Sequence, residues 1–144
     1  MNHHSANHFR FIERTGFLAV PGVYYTEPIH LGRIPNAPHW VGMQANFTYA
    51  GADGGELDVY LQTTLDDDLT WCDIANLHFL QVSARTLTAA SSTITLGAAT
   101  WTAEDLAIAD NTCRVGLIGD NLRVVVVAGN DYATSRLVVD VVVR

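Results

Sequence analysis

The sequence contains no lysine, so its eight basic residues are all arginines, and fifteen acidic residues give a formal net charge of −7. Proteins that bind nucleic acid or an anionic membrane surface need a basic patch that neutralises phosphate groups. The charge balance argues against both kinds of partner, and we expect neither.

Cysteine and long apolar runs are also scarce. Cys72 and Cys113 form no disulfide framework and match no zinc-site spacing, so pairing and inert thiols both stay open. No run approaches the ~20 apolar residues of a membrane helix, and the N-terminus shows no apolar core of signal-peptide length. We therefore expect a protein that is made in a cytoplasm.

Motifs that carry catalysis are missing as well. The chain contains no GxSxG, HExxH, CxxC or glycine-rich phosphate motif. His78 has the opposite strand parity from Leu77 and Phe79, where a lone histidine is more often hydrogen-bonded or exposed than a metal ligand. The sequence predicts no enzyme, no cofactor and no bound metal.

Three consecutive aspartates, Asp66, Asp67 and Asp68, form the most conspicuous acidic stretch. They lie between two strand-like runs, where aspartate commonly forms a turn. A calcium loop of EF-hand type needs alternating acidic residues, a glycine at its sixth position and a glutamate at its twelfth, and none of these is present. We interpret the stretch as a solvated turn, and a bound cation is the alternative.

The residues that are present indicate one all-β domain. Nearly half of the 144 residues are apolar, which is enough to bury a core without disulfides. Short runs with a period of two, separated by turn residues, predict an antiparallel β-sandwich of jelly-roll type. Two of these runs, joined by a glycine-rich turn, are expected to form a hairpin. Their predicted inward-facing residues are Val41, Met43, Ala45, Phe47 and Tyr49, then Leu57, Val59 and Leu61.

Two segments depart from the strand pattern. Residues 1–16 are polar and rich in histidine, and we interpret them as an N-terminal arm that precedes the sandwich domain at 17–144. Thr102, three residues before Asp105, resembles a helix N-cap and predicts one short helix that ends at Ala109. A change of apolar parity also predicts a β-bulge near Asp73.

The last two predicted strands, which we expect to form a second hairpin, are apolar on both faces. One face carries leucines and valines, and the other carries Val125, Val127, Val138 and Val142. One face of an antiparallel sheet is normally wet, so these valines need a cover. The cover is either residues 84–111 of the same chain or a neighbouring subunit, which makes the four valines candidate interface residues.

Three segments of the sequence resemble a known group of proteins. They are GVYYTEPIHLG from Gly22, GELDVYLQTTLDDDLTWCDIANLHF from Gly55, and GDNLRVVVVAGNDYATSRLVVDVVV from Gly119. Their order and content resemble the small β-sandwich structural proteins of tailed bacteriophages. The strand, acidic turn, Thr-Trp and Asp-Ile-Ala series is the most specific part, although Asp67 and Asp68 stand where that group usually has glycines.

The resemblance implies a virion protein of one of three types: capsid decoration (cement), head–tail connector or minor tail protein. We favour decoration, in which the protein is made in the host bacterial cytoplasm and reinforces the capsid surface by binding the major capsid protein or other virion proteins. A homo-oligomer is expected, and the three-fold positions of icosahedral shells favour a trimer.

The N-terminal arm supplies the predicted partner-binding residues. These residues are Phe9, Arg10, Phe11, Ile12 and Arg14, with the aromatic rings buried on the partner and the arginines paired with its carboxylates. Deletion of residues 1–14 is then expected to leave the domain folded and to weaken its binding to shells.

A carbohydrate-binding module is the alternative from another functional class. Such a module would present exposed aromatic residues, for example Tyr24, Tyr60, Trp40 or Trp101, on one platform. A glycosidase pair such as Asp58 and Asp73 can also be imagined, but the sequence does not fix the separation that this chemistry requires.

Overall fold

The computed structural model describes residues 7–15, 22–31, 40–48, 56–64, 70–79, 84–92, 104–114, 119–129 and 135–143. These segments contain nine strands: β1 (Asn7–Thr15), β2 (Gly22–Tyr25), β3 (Ile29–His30), β4 (Trp40–Thr48), β5 (Leu57–Thr64), β6 (Trp71–Phe79), β7 (Ala84–Ser92), β8 (Asn121–Ala128) and β9 (Arg136–Val143). Across the same segments, no helix is long and apolar enough to cross a membrane.

The nine strands form two antiparallel sheets. The first sheet has the order β1-β9-β4-β7. The second sheet has the order β2-β8-β5-β6, and the short strand β3 also pairs with β8. The fold is therefore all-β, as the alternating pattern predicts.

One apolar core is shared by the inner faces of both sheets. The residues predicted to point inward on β4 and β5 are buried in it. This confirms the face assignment of Val41, Met43, Ala45 and Phe47 on β4 and of Leu57, Val59 and Leu61 on β5. The rings of Phe47 and Phe79 meet edge to face across the core, with centroids 5.5 Å apart. Burial of each such side chain contributes about 1.5–3 kcal/mol, so this core dominates the stability of the fold.

Both predicted hairpins are wrong. Strand β4 pairs with β7 and β9 in the first sheet, whereas β5 pairs with β6 and β8 in the second. Strands β8 and β9 are likewise divided between the two sheets. Alternation fixes which face of a strand is apolar, and it is equally satisfied when consecutive strands join opposite sheets around one core.

The interpretation of residues 1–16 as an arm is wrong for residues 7–15, which form the edge strand β1. Its register with β9 runs from Asn7 opposite Val143 to Thr15 opposite Arg136, with an irregularity between Arg10 and Ile12. The pairing joins parts of the chain more than 120 residues apart in sequence. Local composition carries no signal of such a partner.

The predicted helix is also wrong for the residues that the structure describes, because residues 104–109 form bends and no helical turn. Thr102, the predicted cap, lies outside the described residues. The predicted bulge near Asp73 is confirmed. The β5–β6 register shifts between Leu61 and Gln62, and it passes from Ala75 to Asp73 without using Ile74.

Candidate functional site

The outer face of the second sheet is covered by residues 104–114, which we call the cover segment. Ile108 of this segment packs on Tyr60 and Val125, and Leu106 and Val127 complete the cluster. Val125 is fully buried as a result. Val125 and Val127 are therefore covered by another segment of the same chain, which is one of the two alternatives that the sequence leaves open.

The cover segment also extends the sheet along the edge of β6. The backbone N–H of Asp73 donates to the carbonyl of Glu104 at 2.7 Å, and that of Arg114 donates to the carbonyl of Ile74 at 2.7 Å. The Arg114 guanidinium then contacts the Glu104 carboxylate at 2.7 Å, which joins the two ends of the segment. Backbone groups of an edge strand are thus partnered within the chain, which limits pairing with other molecules there.

The carboxylate of Asp73 anchors the cover segment. It is fully buried and accepts hydrogen bonds from the backbone N–H groups of Leu106 at 3.0 Å, Ala107 at 2.8 Å and Ile108 at 3.1 Å. The side-chain amide of Gln62 donates a further bond at 2.8 Å. A buried carboxylate is tolerated when donors surround it in this way, and the arrangement fixes the path of the segment.

A second polar cluster, which we call the His78 cluster, consists of Asp58, His78 and Asp110. His78 Nδ1 lies 2.7 Å from Asp58 Oδ1, and His78 Nε2 lies 3.6 Å from Asp110 Oδ2. Burial by itself lowers the pKa of His78, but the hydrogen bond and negative charge of Asp58, with smaller effects from Asp110 and Glu56, raise the pKa on balance. The ligand atoms of the three residues lie within 4.8 Å of one another.

Tyr60 and Asn76, on the outer face of the second sheet, also contact the cover segment. Burial, with added effects of Asp58, Asp73 and Asp110, raises the pKa of Tyr60 to about 12, so its hydroxyl stays protonated and donates to the carbonyl of Leu106 at 3.4 Å. Asn76 is almost fully buried.

The amide nitrogen of Asn76 faces the carbonyl of Ile108 at 3.4 Å and Asp110 Oδ1 at 3.5 Å, and its amide oxygen has no hydrogen-bond partner. An unpaired buried oxygen of this kind costs about 1–3 kcal/mol.

The signal for this site in the sequence is the set of polar residues Asp73, Asn76 and His78 within the apolar run of β6. The strand parity predicts the bulge and an exposed or hydrogen-bonded His78, but it carries no signal for the residues that pair with His78. Asp110 and Asn111 follow the end of the predicted helix at Ala109, and Asn111 accepts a hydrogen bond from the His78 backbone N–H at 3.0 Å. Asp58 and Asp73, the imagined glycosidase pair, are each engaged by other groups.

The residues predicted to bind a partner from the arm lie on β1. Phe9, Phe11 and Ile12 pack, partly buried, against the core of the chain itself. Arg10 contacts Asp140 at 2.8 Å and Glu13 at 3.2 Å, and Arg14 is exposed. These residues therefore do not form a free arm that orders on a partner, because their aromatic rings already pack against the core of the chain.

The remaining interface candidates lie on the outer face of the first sheet. Val138 is buried and Val142 is half-buried. The side chain of Trp40 folds back over Gly42, the register partner of Val142. Val138 and Val142 are thus placed away from Val125 and Val127, and the four valines do not form one apolar surface.

The described residues expose two large apolar side chains, both on the edge strand β2. Val23 is 44% exposed and Tyr25 is 58% exposed. The guanidinium of Arg123 stacks between the rings of Tyr25 and Trp71, at 4.7 and 4.2 Å from their centroids. A groove of about 510 Å³ runs nearby between the two sheets, lined by residues of β1 and by Thr26, Glu27 and Ile29.

Other predicted residues are dispersed. Tyr24 packs against the core, Tyr60 is buried, and Trp40 lies on the other sheet, so these three do not form an aromatic platform. Cys72 and Cys113 are not joined by a disulfide. Tyr49, Asp66 to Asp68 and Trp101 lie outside the described residues.

Comparisons with protein-family models, with curated proteins and with solved structures find no match to this chain.

Proposed function

We propose that the protein is a non-enzymatic structural component of a tailed-phage virion, which decorates the capsid and stabilises the shell by binding the major capsid protein. In this proposal the two sheets form a jelly-roll-like β-sandwich. The single observation that carries the proposal is the location of the three segments that resemble phage structural proteins. Together they supply every strand of the second sheet.

The first of these segments contains β2 and β3, the second contains β5 and β6, and the third contains β8 together with β9 of the first sheet. In the sheet these strands are contiguous, in the order β2-β8-β5-β6 with β3 beside β8. The resemblance therefore covers all five strands of one sheet and one strand of the other, whereas scattered short matches would not bring neighbouring strands together. This supports the expected class of protein more strongly than the sequence order does.

The exposed side of β2 replaces the arm as the proposed contact surface. Val23 and Tyr25 are exposed there, and β2 is the terminal strand of its sheet. Edge strands offer backbone groups for pairing with another chain, and tyrosine is enriched among the residues that dominate interface energies. Contact through this edge leaves the cover segment undisturbed on the remainder of the sheet.

The same surface serves the two neighbouring roles. A head–tail connector or a minor tail protein would also be a repeated component that docks by an edge, and the number of copies would differ. A trimer at the three-fold positions of the shell remains our proposal for the decorating form.

The experiment that tests the proposed function is gold labelling of this protein on purified particles, viewed by electron microscopy. Label over the whole head supports decoration, and label confined to the neck or tail assigns the connector or tail role instead. Particles without label would contradict the virion proposal and return the carbohydrate-binding hypothesis to first place.

Binding of the purified protein to undecorated shells tests the contact surface separately. Tyr25→Ser is expected to weaken binding at least tenfold and to lower the melting temperature by only a few degrees, because Tyr25 is exposed and its contact with Arg123 contributes about 0.5–1 kcal/mol. Gln44→Ser, an exposed change on the first sheet, is the matched control and should bind like the parent. Equal binding by the parent and Tyr25→Ser would remove the β2 edge from the contact.

A further inference from the structure

The His78 cluster combines a histidine with two carboxylates, and the buried amide of Asn76 contacts its Asp110 carboxylate. We propose that it binds one divalent transition-metal ion of the zinc class. His78 Nε2 and the Asp110 carboxylate are the proposed ligands, Asn76 contributes its amide oxygen, and Asp58 orients the imidazole. The ion would tie the cover segment to the second sheet.

The orientation of His78 is fixed by Asp58. With Nδ1 2.7 Å from the Asp58 carboxylate, the imidazole donates its Nδ1–H there and its Nε2 lone pair is directed to the other side. Metal-binding histidines commonly have this carboxylate partner on the second ring nitrogen, because it fixes the tautomer and makes the ligand more basic. The fold therefore presents one nitrogen in the form that coordinates a metal.

The spacing between the two principal ligands fits a shared ion. His78 Nε2 and Asp110 Oδ2 are 3.6 Å apart, which is too long for a hydrogen bond. Two ligand atoms that each lie ~2.1 Å from one tetrahedral zinc ion are separated by about 3.4 Å. The observed distance is close to that value.

Asn76 supplies an independent indication. Its side chain is 1% exposed, it contacts Asp110, and its amide oxygen has no hydrogen-bond partner. The oxygen and nitrogen of an amide exchange places when the group turns over. Turned over, the amide gives up its hydrogen bond to the Ile108 carbonyl, and its oxygen faces both that carbonyl and the Asp110 carboxylate, an arrangement that a cation among these oxygens stabilises.

The ligand types select the class of ion. Calcium and magnesium prefer sites made of oxygen ligands alone, whereas imidazole favours zinc and its neighbours in the first transition series. Asp110 is 63% exposed on its side chain, which leaves a path from solvent to the ligand atoms. Because Asp110 belongs to the cover segment and His78 to β6, binding requires the folded arrangement and should stabilise it.

The test uses the full-length chain with His3, His4 and His8 replaced by glutamine, which removes N-terminal histidines that can bind zinc on their own. Isothermal titration with zinc chloride is expected to give one site. Zinc at a hundredfold excess over its Kd should raise the melting temperature by roughly 10 °C. The nitrogen chemical shift of His78 Nε2 should change on zinc addition, and that of Nδ1 should change much less.

Three variants in the same background make the test specific. Asp110→Asn, an exposed change that should not disturb folding, and His78→Gln are expected to lose the site. His30→Gln is the matched control, because His30 is paired with Asn121 outside the cluster, and it should bind zinc like its parent. Absence of zinc binding in the background protein, or binding to folded Asp110→Asn and His78→Gln as tight as to their parent, would overturn the proposal.

Discussion

Polar side chains on the outer face of the first sheet are largely exposed to water, whereas a central carboxylate on the outer face of the second sheet is buried. On the first sheet, Arg10 and Arg136 form ion pairs with Glu13 and Asp140, and most of these side chains are in contact with water. On the second sheet, the carboxylate of Asp73 is buried and all its donors come from the chain. Water can replace a lost partner on the first face but not on the second, so substitutions should cost more on the second face.

The largest effect is expected from Asp73→Ala. This change leaves three backbone N–H groups of the cover segment without their acceptor and removes the anchor of Ile108. We expect a loss of about 3–5 kcal/mol in the free energy of unfolding, measured by urea denaturation.

Asp105→Ala is the control for this prediction. Asp105 also accepts a hydrogen bond from Gln62, at 2.7 Å, but it is exposed, so water can take its place. A loss below 1 kcal/mol is expected. Equal losses in the two variants would show that burial does not distinguish the two faces.

The second prediction concerns β1. Phe9→Ala removes a ring that packs against the core from the edge of the first sheet, and we expect a loss of about 2 kcal/mol, less than for a fully buried ring. Arg14→Ala, an exposed change on the same strand, should alter stability by less than about 0.5 kcal/mol. If both variants were as stable as the parent, residues 7–15 would behave as an arm after all.

The third prediction uses two glycines. A Cβ at Gly42 would collide with the indole ring of Trp40, whereas a Cβ at Gly22 meets no atom within 4 Å. We expect Gly42→Ala to cost about 1–2 kcal/mol, because the ring must leave its place. Gly22→Ala should be neutral or slightly stabilising in thermal unfolding. The reverse order would mean that Trp40 does not pack over Gly42.

The smallest effect is a dependence on pH at Asp140. Burial alone would raise the pKa of the Asp140 carboxyl, but hydrogen bonds from Arg10 and His8 outweigh it and lower the pKa. A lowered pKa in the folded state gives stability that is present above the unfolded pKa of about 4 and is lost as the pH falls through the folded value.

Asp140→Asn should therefore be less stable than the parent by about 1 kcal/mol at pH 7, and this difference should shrink as the pH falls below about 4 towards the lowered pKa of Asp140. Denaturant titrations across this range provide the measurement. A difference that stays constant between pH 7 and pH 3 would contradict the assignment to the ionised carboxylate.

The sequence predicted the parts of the fold that depend on neighbouring residues. Alternation assigned the inward faces of β4 and β5, and the change of parity placed the bulge near Asp73. The doubly apolar pattern predicted that Val125 needs a cover, and a segment of the same chain provides it. Each of these features is fixed by which residues within a short run are apolar.

The parts that failed depend on distant partners. The pairing of β1 with β9 and the division of β8 and β9 between sheets are decided by contacts across the whole chain. Residues 104–109 have a cap-like start, but the Asp73 carboxylate offers their N–H groups an acceptor that competes with a helix. A buried aspartate with this role cannot be recognised from a single strand sequence.

The most direct test of the contrast between the two faces is hydrogen exchange at the backbone amides of Leu106, Ala107 and Ile108. If the buried Asp73 carboxylate accepts hydrogen bonds from these three N–H groups, they should exchange slowly in the parent and much faster in Asp73→Ala, with Asp105→Ala close to the parent. Fast exchange of all three amides in the parent would contradict the account, because the cover segment would then not be fixed to the second sheet.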